Sequence, residues 1–284
     1  MKQLVMFLLL CAVTGSADAQ DTLRLKNIDA ILYTGSGKLQ PLVVGLGGAE
    51  GGNAWASNHW KKTRDEFLDK GYAFLAIGYF GTPNSPAILD RIAIDDVYNA
   101  IKVAGKNKKV DGRYIAVIGG SRGADLALLL ASYYSDIDCV IGMSSSHVVF
   151  PGHTNHFSSS CWTFNGMELP YVPVNETSVP FLMKRDHRGA FTAMLQDSVA
   201  ARNAAIKVEN IKGAVLLLSG KSDEMIPASE MAEKMVARFK EKGFRHHFEH
   251  IAYEGGHGEP TKHFDAVFEF LGKYFVKSRR GREE

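Results

Sequence analysis

The chain has 284 residues, of which 45% are hydrophobic and 23% charged, and a formal net charge of +2. That composition marks a globular protein able to bury a full core, and the length favours one large α/β domain over two small ones. Near-neutrality, with no basic stripe interleaved with aromatics, excludes nucleic acid as an expected partner; the basic clusters 106–109 and 279–282 read as solvated surface.

The first residues have the pattern of an export signal. Lys2 supplies a charged start, residues 4–13 an apolar stretch too short to span a bilayer, and Ala17-Asp18-Ala19 a small-x-small cleavage site before Gln20. Leu10 precedes Cys11 where lipid attachment needs a small residue, so release is expected rather than anchoring, with no stable membrane insertion. The expected organisation is a signal peptide at 1–19, an α/β-hydrolase-type domain at 20–277 and a charged tail at 278–284. Cleavage leaves Cys139 and Cys161, which export would permit to pair. Cys139 lies in an apolar run where a thiol is ordinary packing, and neither cysteine has the spacing of a zinc ligand.

Short β-rich runs then alternate with helical ones, the pattern of a mostly parallel sheet flanked by helices. Strands are predicted at 28–33, 42–46, 73–79, 114–118, 139–143, 214–219 and 248–253. Helices are predicted at 60–70, 90–103, 122–133, 227–242 and 264–276, the first two stopped by Gly71 and Gly105. Residues 144–209 interrupt the rhythm, with no clear strand and many His, Phe, Trp, Gly and Pro residues. This reads as a lid-like excursion leaving the sixth strand position at the carboxyl edge, where open α/β sheets bind ligands.

The densest chemical signal is Gly119-Gly120-Ser121-Arg122-Gly123, between the strand at 114–118 and the helix at 122–133. A serine on such a strand-to-helix turn is lifted clear of the sheet, beside a helix N-terminus suited to an anion. A nucleophilic serine needs a base and an acid that orients it, in the chain order Ser, acid, His. Asp223 follows the strand at 214–219 and His257, set between glycines, follows the strand at 248–253. Glu224 is a rival acid, and Asp223 is preferred for its position and shorter reach. Ser121 and Asp223 could instead be helix caps, and His257 a surface residue. Two backbone N–H donors should hold the oxyanion: that of Arg122, and one from the glycine-rich loop 45–52, at Gly47 or Gly48. His246, His247, His250 and His263 read as solvated or structural; His147, His153 and His156 belong to the excursion.

From about 28 to 274 the chain resembles the C-terminal domain of the acyl-CoA thioesterase and bile acid-CoA:amino acid N-acyltransferase family, within the α/β-hydrolases. The resemblance is carried by 41–52, 71–80, 119–128, 206–211, 220–223 and Gly255-Gly256-His257. It implies Ser121 as nucleophile, Asp223 as acid and His257 as base. The transferase branch uses a cysteine nucleophile, so Ser121 points to the hydrolase branch; larger members carry a β-domain ahead of this one, for which little room precedes 28. The expectation is an exported serine hydrolase acting on a small-molecule acyl ester or thioester, with no metal or other cofactor. Acyl transfer to an amine or alcohol, a peptidase of the same fold, and a binding protein on a hydrolase scaffold are the alternatives.

Overall fold

The computed structural model describes residues 19–275, so the signal segment up to residue 18 and the tail at 278–284 lie outside the described residues. Eight strands form the central sheet: β1 (Ala19–Leu25), β2 (Ile28–Thr34), β3 (Gln40–Leu46), β4 (Ala73–Gly78), β5 (Val110–Gly120), β6 (Cys139–Met143), β7 (Ala214–Gly220) and β8 (Phe248–Tyr253). Their spatial order is β1-β2-β4-β3-β5-β6-β7-β8, with β1–β2 and β2–β4 antiparallel and every other pair parallel.

The central strands are apolar throughout because both faces are covered. In β5, Ile115 and Val117 face one core layer, while Ala116 and Ile118 face the other. β7 divides in the same way, Val215 and Leu217 against Leu216 and Leu218, the period of two of a pleated strand. Helices α2 (Ile94–Ala104), α3 (Arg122–Tyr133) and α7 (Ala228–Glu241) cover the first face; α1 (Lys61–Asp69) and α8 (Phe264–Phe270) cover the second.

Register aligns the carboxyl ends of the parallel strands. Leu46 of β3 lies opposite Gly119 of β5, Gly120 opposite Met143 of β6, and Gly220 of β7 opposite Tyr253 of β8. The loops that follow these strands therefore open along one edge, which brings Gly47, Ser121, Ser144, Asp223 and His257 to the same side of the sheet.

Four local expectations change. β1, unpredicted, forms a hairpin with β2 through Lys26-Asn27, with Asn27 in the left-handed region at φ 61°. The helix expected from residue 90 starts at Ile94, because Ile92-Ala93 pair in parallel with Trp162-Thr163. Two short strands of the excursion thus join Ile92-Ala93 in a small sheet, closed by a hairpin at Asn165-Gly166, both with positive φ. It also contains α4 (Val179–Met183), α5 (His187–Met194) and α6 (Ser198–Asn203). Finally, α8 passes at Leu271 into a π-helical turn, Leu271–Phe275. Among the described residues, Cys139 and Cys161 are buried and unbridged.

Candidate active site

Ser121 stands between β5 and α3 with φ 53° and ψ −122°, a conformation that costs a non-glycine residue about 1–3 kcal/mol and marks a constrained turn. The surrounding backbones hold it there. Its N–H donates to the Met143 carbonyl at 2.8 Å, and its own carbonyl accepts from Ala124 N–H at 2.9 Å. A Cβ at Gly119 would lie 2.1 Å from the Gly123 carbonyl oxygen, and one at Gly123 would lie 2.3 Å from that of Gly47. Glycine is required at both because β5, α3 and the loop after β3 touch there. The Ser121 side chain makes no capping bond to α3, which leaves its hydroxyl to the cavities described below.

His257 follows β8. Its Nδ1 is 2.8 Å from Oδ2 of Asp223, which follows β7 and is fully buried. The other Asp223 oxygen accepts the Met225 and Ile226 N–H groups at 2.8 and 3.0 Å. A buried carboxylate with both oxygens engaged needs no further partner and presents one geometry to the imidazole. Glu224 turns away from the ring, and its Oε2 accepts the backbone N–H of His257 at 3.0 Å. The Ser144 hydroxyl donates to the His257 carbonyl at 2.8 Å, so the histidine loop is held at both its backbone groups. A Cβ at Gly220 would lie 2.2 Å from the Gly256 carbonyl, which explains the glycine that brings the two loops together.

Ser121 and His257 both line two adjoining cavities. The larger, about 370 Å³, is walled by residues of the excursion, including Phe157, Leu182, Phe191 and Met194. The smaller, about 150 Å³, runs past Gly47, Gly48, Trp55 and Trp60. Of the expected oxyanion donors, Arg122 N–H is the first of α3 and so has no carbonyl in a preceding helical turn. Gly48 stands against the nucleophile, since a Cβ there would be 3.2 Å from Ser121 Cβ, but its N–H already donates to Glu50 Oε1 at 3.0 Å. The Gly47 carbonyl accepts from the Tyr79 hydroxyl at 2.6 Å.

Several participants carry no signal in the sequence. Arg188, from α5, donates to the Asp223 carbonyl at 2.8 Å and also bonds Glu230, tying the excursion to the acid's turn. His187 and the Arg122 side chain line the larger cavity, as does His153. Arg122 bonds Asp125, whose carboxyl burial pushes up to about 6 against the opposing pull of Arg122. Three further histidines make local contacts: His250 bonds Ser219 at 2.8 Å, and His247 and His263 stack on Tyr274 and Tyr253. Among the described residues, no group of three or more His, Cys, Asp or Glu side chains could hold a metal ion, and no helix is long and apolar enough to cross a membrane.

Comparison with known proteins adds a family and a fold. The family model described as BAAT / Acyl-CoA thioester hydrolase C terminal matches residues 97–259. Over 164 residues the chain is 26% identical to the peroxisomal succinyl-coenzyme A thioesterase of Mus musculus, covering 54% of this chain and 34% of that one. It is 24% identical over 177 residues to acyl-coenzyme A thioesterase 1 of Rattus norvegicus, covering 61% and 40%. The chain thus matches only about a third to two-fifths of these relatives' length. An esterase of Pyrococcus furiosus superposes with a TM-score of 0.62 at 17% identity, covering 91% of this chain and 92% of that one, a likeness of the α/β-hydrolase fold.

Proposed function

The chain belongs to the BAAT / acyl-CoA thioester hydrolase C-terminal family, and from that premise we propose that it is a serine hydrolase of acyl thioesters or carboxylic esters. The observation that carries this reading is the 2.8 Å Asp223–His257 pair opening onto the same two cavities as Ser121 on its strained turn. His257 Nε2 takes the Ser121 hydroxyl proton as Oγ attacks the acyl carbon. Asp223 fixes the ring with Nδ1–H toward itself and stabilises the imidazolium that forms. The carbonyl electron pair moves to oxygen, which the Arg122 N–H meets together with a donor of the Gly47-Gly48 turn. For Gly48 to serve, the Glu50 carboxylate must leave its N–H. Collapse expels the thiol or alcohol, which receives the proton from His257. Water, deprotonated by the same histidine, then attacks the acyl-serine and releases the acid.

The resemblance to intracellular thioesterases supports the reaction type, while residues 2–19 support export, away from the acyl-CoA pool. An exported form therefore acts on other esters or thioesters. Fluorophosphonate labelling is the test: the wild type should be modified at Ser121 and lose esterase activity, and Ser121→Ala should not be labelled. Labelling that persists in Ser121→Ala refutes the assignment.

A further inference from the structure

The larger cavity contains a guanidinium that the hydrolytic steps above do not use. The Arg122 side chain is 9% exposed and packs over the Phe150 and Phe191 rings, 5.2 and 5.4 Å from their centroids. Its one hydrogen bond, from Nη1 to Asp125 Oδ2, is 3.2 Å long, and the other Asp125 oxygen is held by Ser146 N–H at 2.7 Å. A guanidinium has five N–H donors in a planar fork. The rest of this fork has no protein partner among the described residues, and Arg122 lines the cavity that reaches Ser121. A nearly buried cation with unused donors is matched by a carboxylate, which accepts two parallel N–H bonds.

The other lining residues agree. His153, His187 and His257 are the further ionisable lining groups, Asp125 is the one acid and is already engaged, and the walls are apolar at Phe157, Val174 and Leu182. The cavity thus suits an apolar chain with an anionic end. The smaller cavity, about 150 Å³ and bordered by the Glu50 carboxylate, suits such a chain poorly. We propose that the larger cavity receives the acyl chain and that the Arg122 side chain binds a carboxylate carried by that chain, so that monoesters and monothioesters of dicarboxylic acids are the preferred substrate class. This rests on Ser121 attacking the acyl carbon.

The test uses p-nitrophenyl monoesters of α,ω-diacids of increasing length, each compared with its ω-methyl ester. For at least one length, wild-type kcat/KM should favour the free acid by about tenfold or more, as expected for a charge-assisted pair in a water-poor site. Arg122→Met/Asp125→Asn removes both charges together, leaves no buried ion unpaired and keeps the backbone N–H; its ratio should fall toward one. Binding without turnover separates this proposal from the hydrolytic one. Ser121→Ala should bind a free diacid of the favoured length, measured by calorimetry, about tenfold more tightly than its dimethyl ester. Equal wild-type rates on acid and ω-methyl ester at every length, or equal binding of diacid and diester by Ser121→Ala, overturns the carboxylate subsite. Absence of ester turnover with diacid binding intact supports the subsite and overturns the hydrolytic reading instead.

Discussion

Two adjacent carboxylates follow β7, and their division of labour lies at the level of single atoms. Asp223 turns inward because the Met225 and Ile226 N–H groups capture one of its oxygens, leaving the other for His257 Nδ1. Glu224 reaches instead to the N–H of His257 and holds the loop rather than the ring. Replacing Asp223 by Asn should therefore lower kcat on a p-nitrophenyl ester by about 10³–10⁴-fold, through the wrong imidazole tautomer, without unfolding the protein. Glu224→Gln, which keeps an acceptor for the backbone bond, should cost less than about tenfold. A larger loss in Glu224→Gln than in Asp223→Asn would reverse the assignment. Chain order and the shorter reach of aspartate favoured Asp223 in the sequence and left Glu224 as a rival, and only the fold gives each carboxylate its own partner. The occupation of the Gly48 N–H by Glu50 was not readable, because it depends on how a two-residue side-chain turn closes.

At the scale of elements, the serine turn is where three segments meet with no room for side chains. Gly119→Ala would place a methyl group 2.1 Å from backbone that cannot move without shifting α3, and Gly123→Ala would press on β3's exit loop at 2.3 Å. Each should destabilise the fold by roughly 3 kcal/mol or more, seen as a fall in Tm. Gly120 has nothing within 4 Å of its would-be Cβ, so Gly120→Ala should stay within about 1 kcal/mol of wild type. Similar melting temperatures for all three variants would refute this account of the turn. Apolar runs bounded by glycine made the sheet strands and their covering helices legible. Residues 90–93 were misread because an apolar residue beside Asp90-Arg91 suits a helix locally, whereas the ladder that claims Ile92 comes from Trp162, distant in sequence. The hairpin at 162–168 did leave a signal, the Asn165-Gly166 pair, which favours this tight turn because both positions require positive φ.

At the scale of the whole molecule, burial sets the thiol and histidine chemistry. Cys139 and Cys161 are unbridged and buried, and burial raises both thiol pKa values. Mature protein cleaved after Ala19 should therefore show no thiol reactive to Ellman's reagent when native and two when denatured; a third would mean that Cys11 is retained. His147 is held down to about 4 by burial and, secondarily, by Lys234, against 6.5 for a free side chain. Its folded pKa lies below its unfolded one, so the unfolded chain binds the proton first as pH falls. Stability from His147 is then present above about 6.5 and is lost as pH falls toward 4. Asp125, pushed up to about 6, acts in the opposite sense over an overlapping range, so the comparison must be made between variants. Chemical denaturation of wild type should lose about 1–2 kcal/mol more than His147→Leu between pH 7 and pH 5, and identical losses would exclude this source of acid sensitivity.

The chain by itself determined the α/β class, the principal strands of the sheet, and the identities of Ser121, Asp223 and His257 as a candidate triad. These are local properties: strand periodicity, glycines where backbones must touch, and polar residues just past strand ends. Tertiary structure decided how these parts face one another. It separated Asp223 from Glu224, closed Glu50 onto Gly48, drew Arg188 from the excursion onto the acid's turn, and left the Arg122 guanidinium facing the larger cavity with donors to spare. Each of those outcomes depends on side chains brought together by sheet register and on competition for a small number of buried hydrogen-bond partners, which no local pattern of residues encodes.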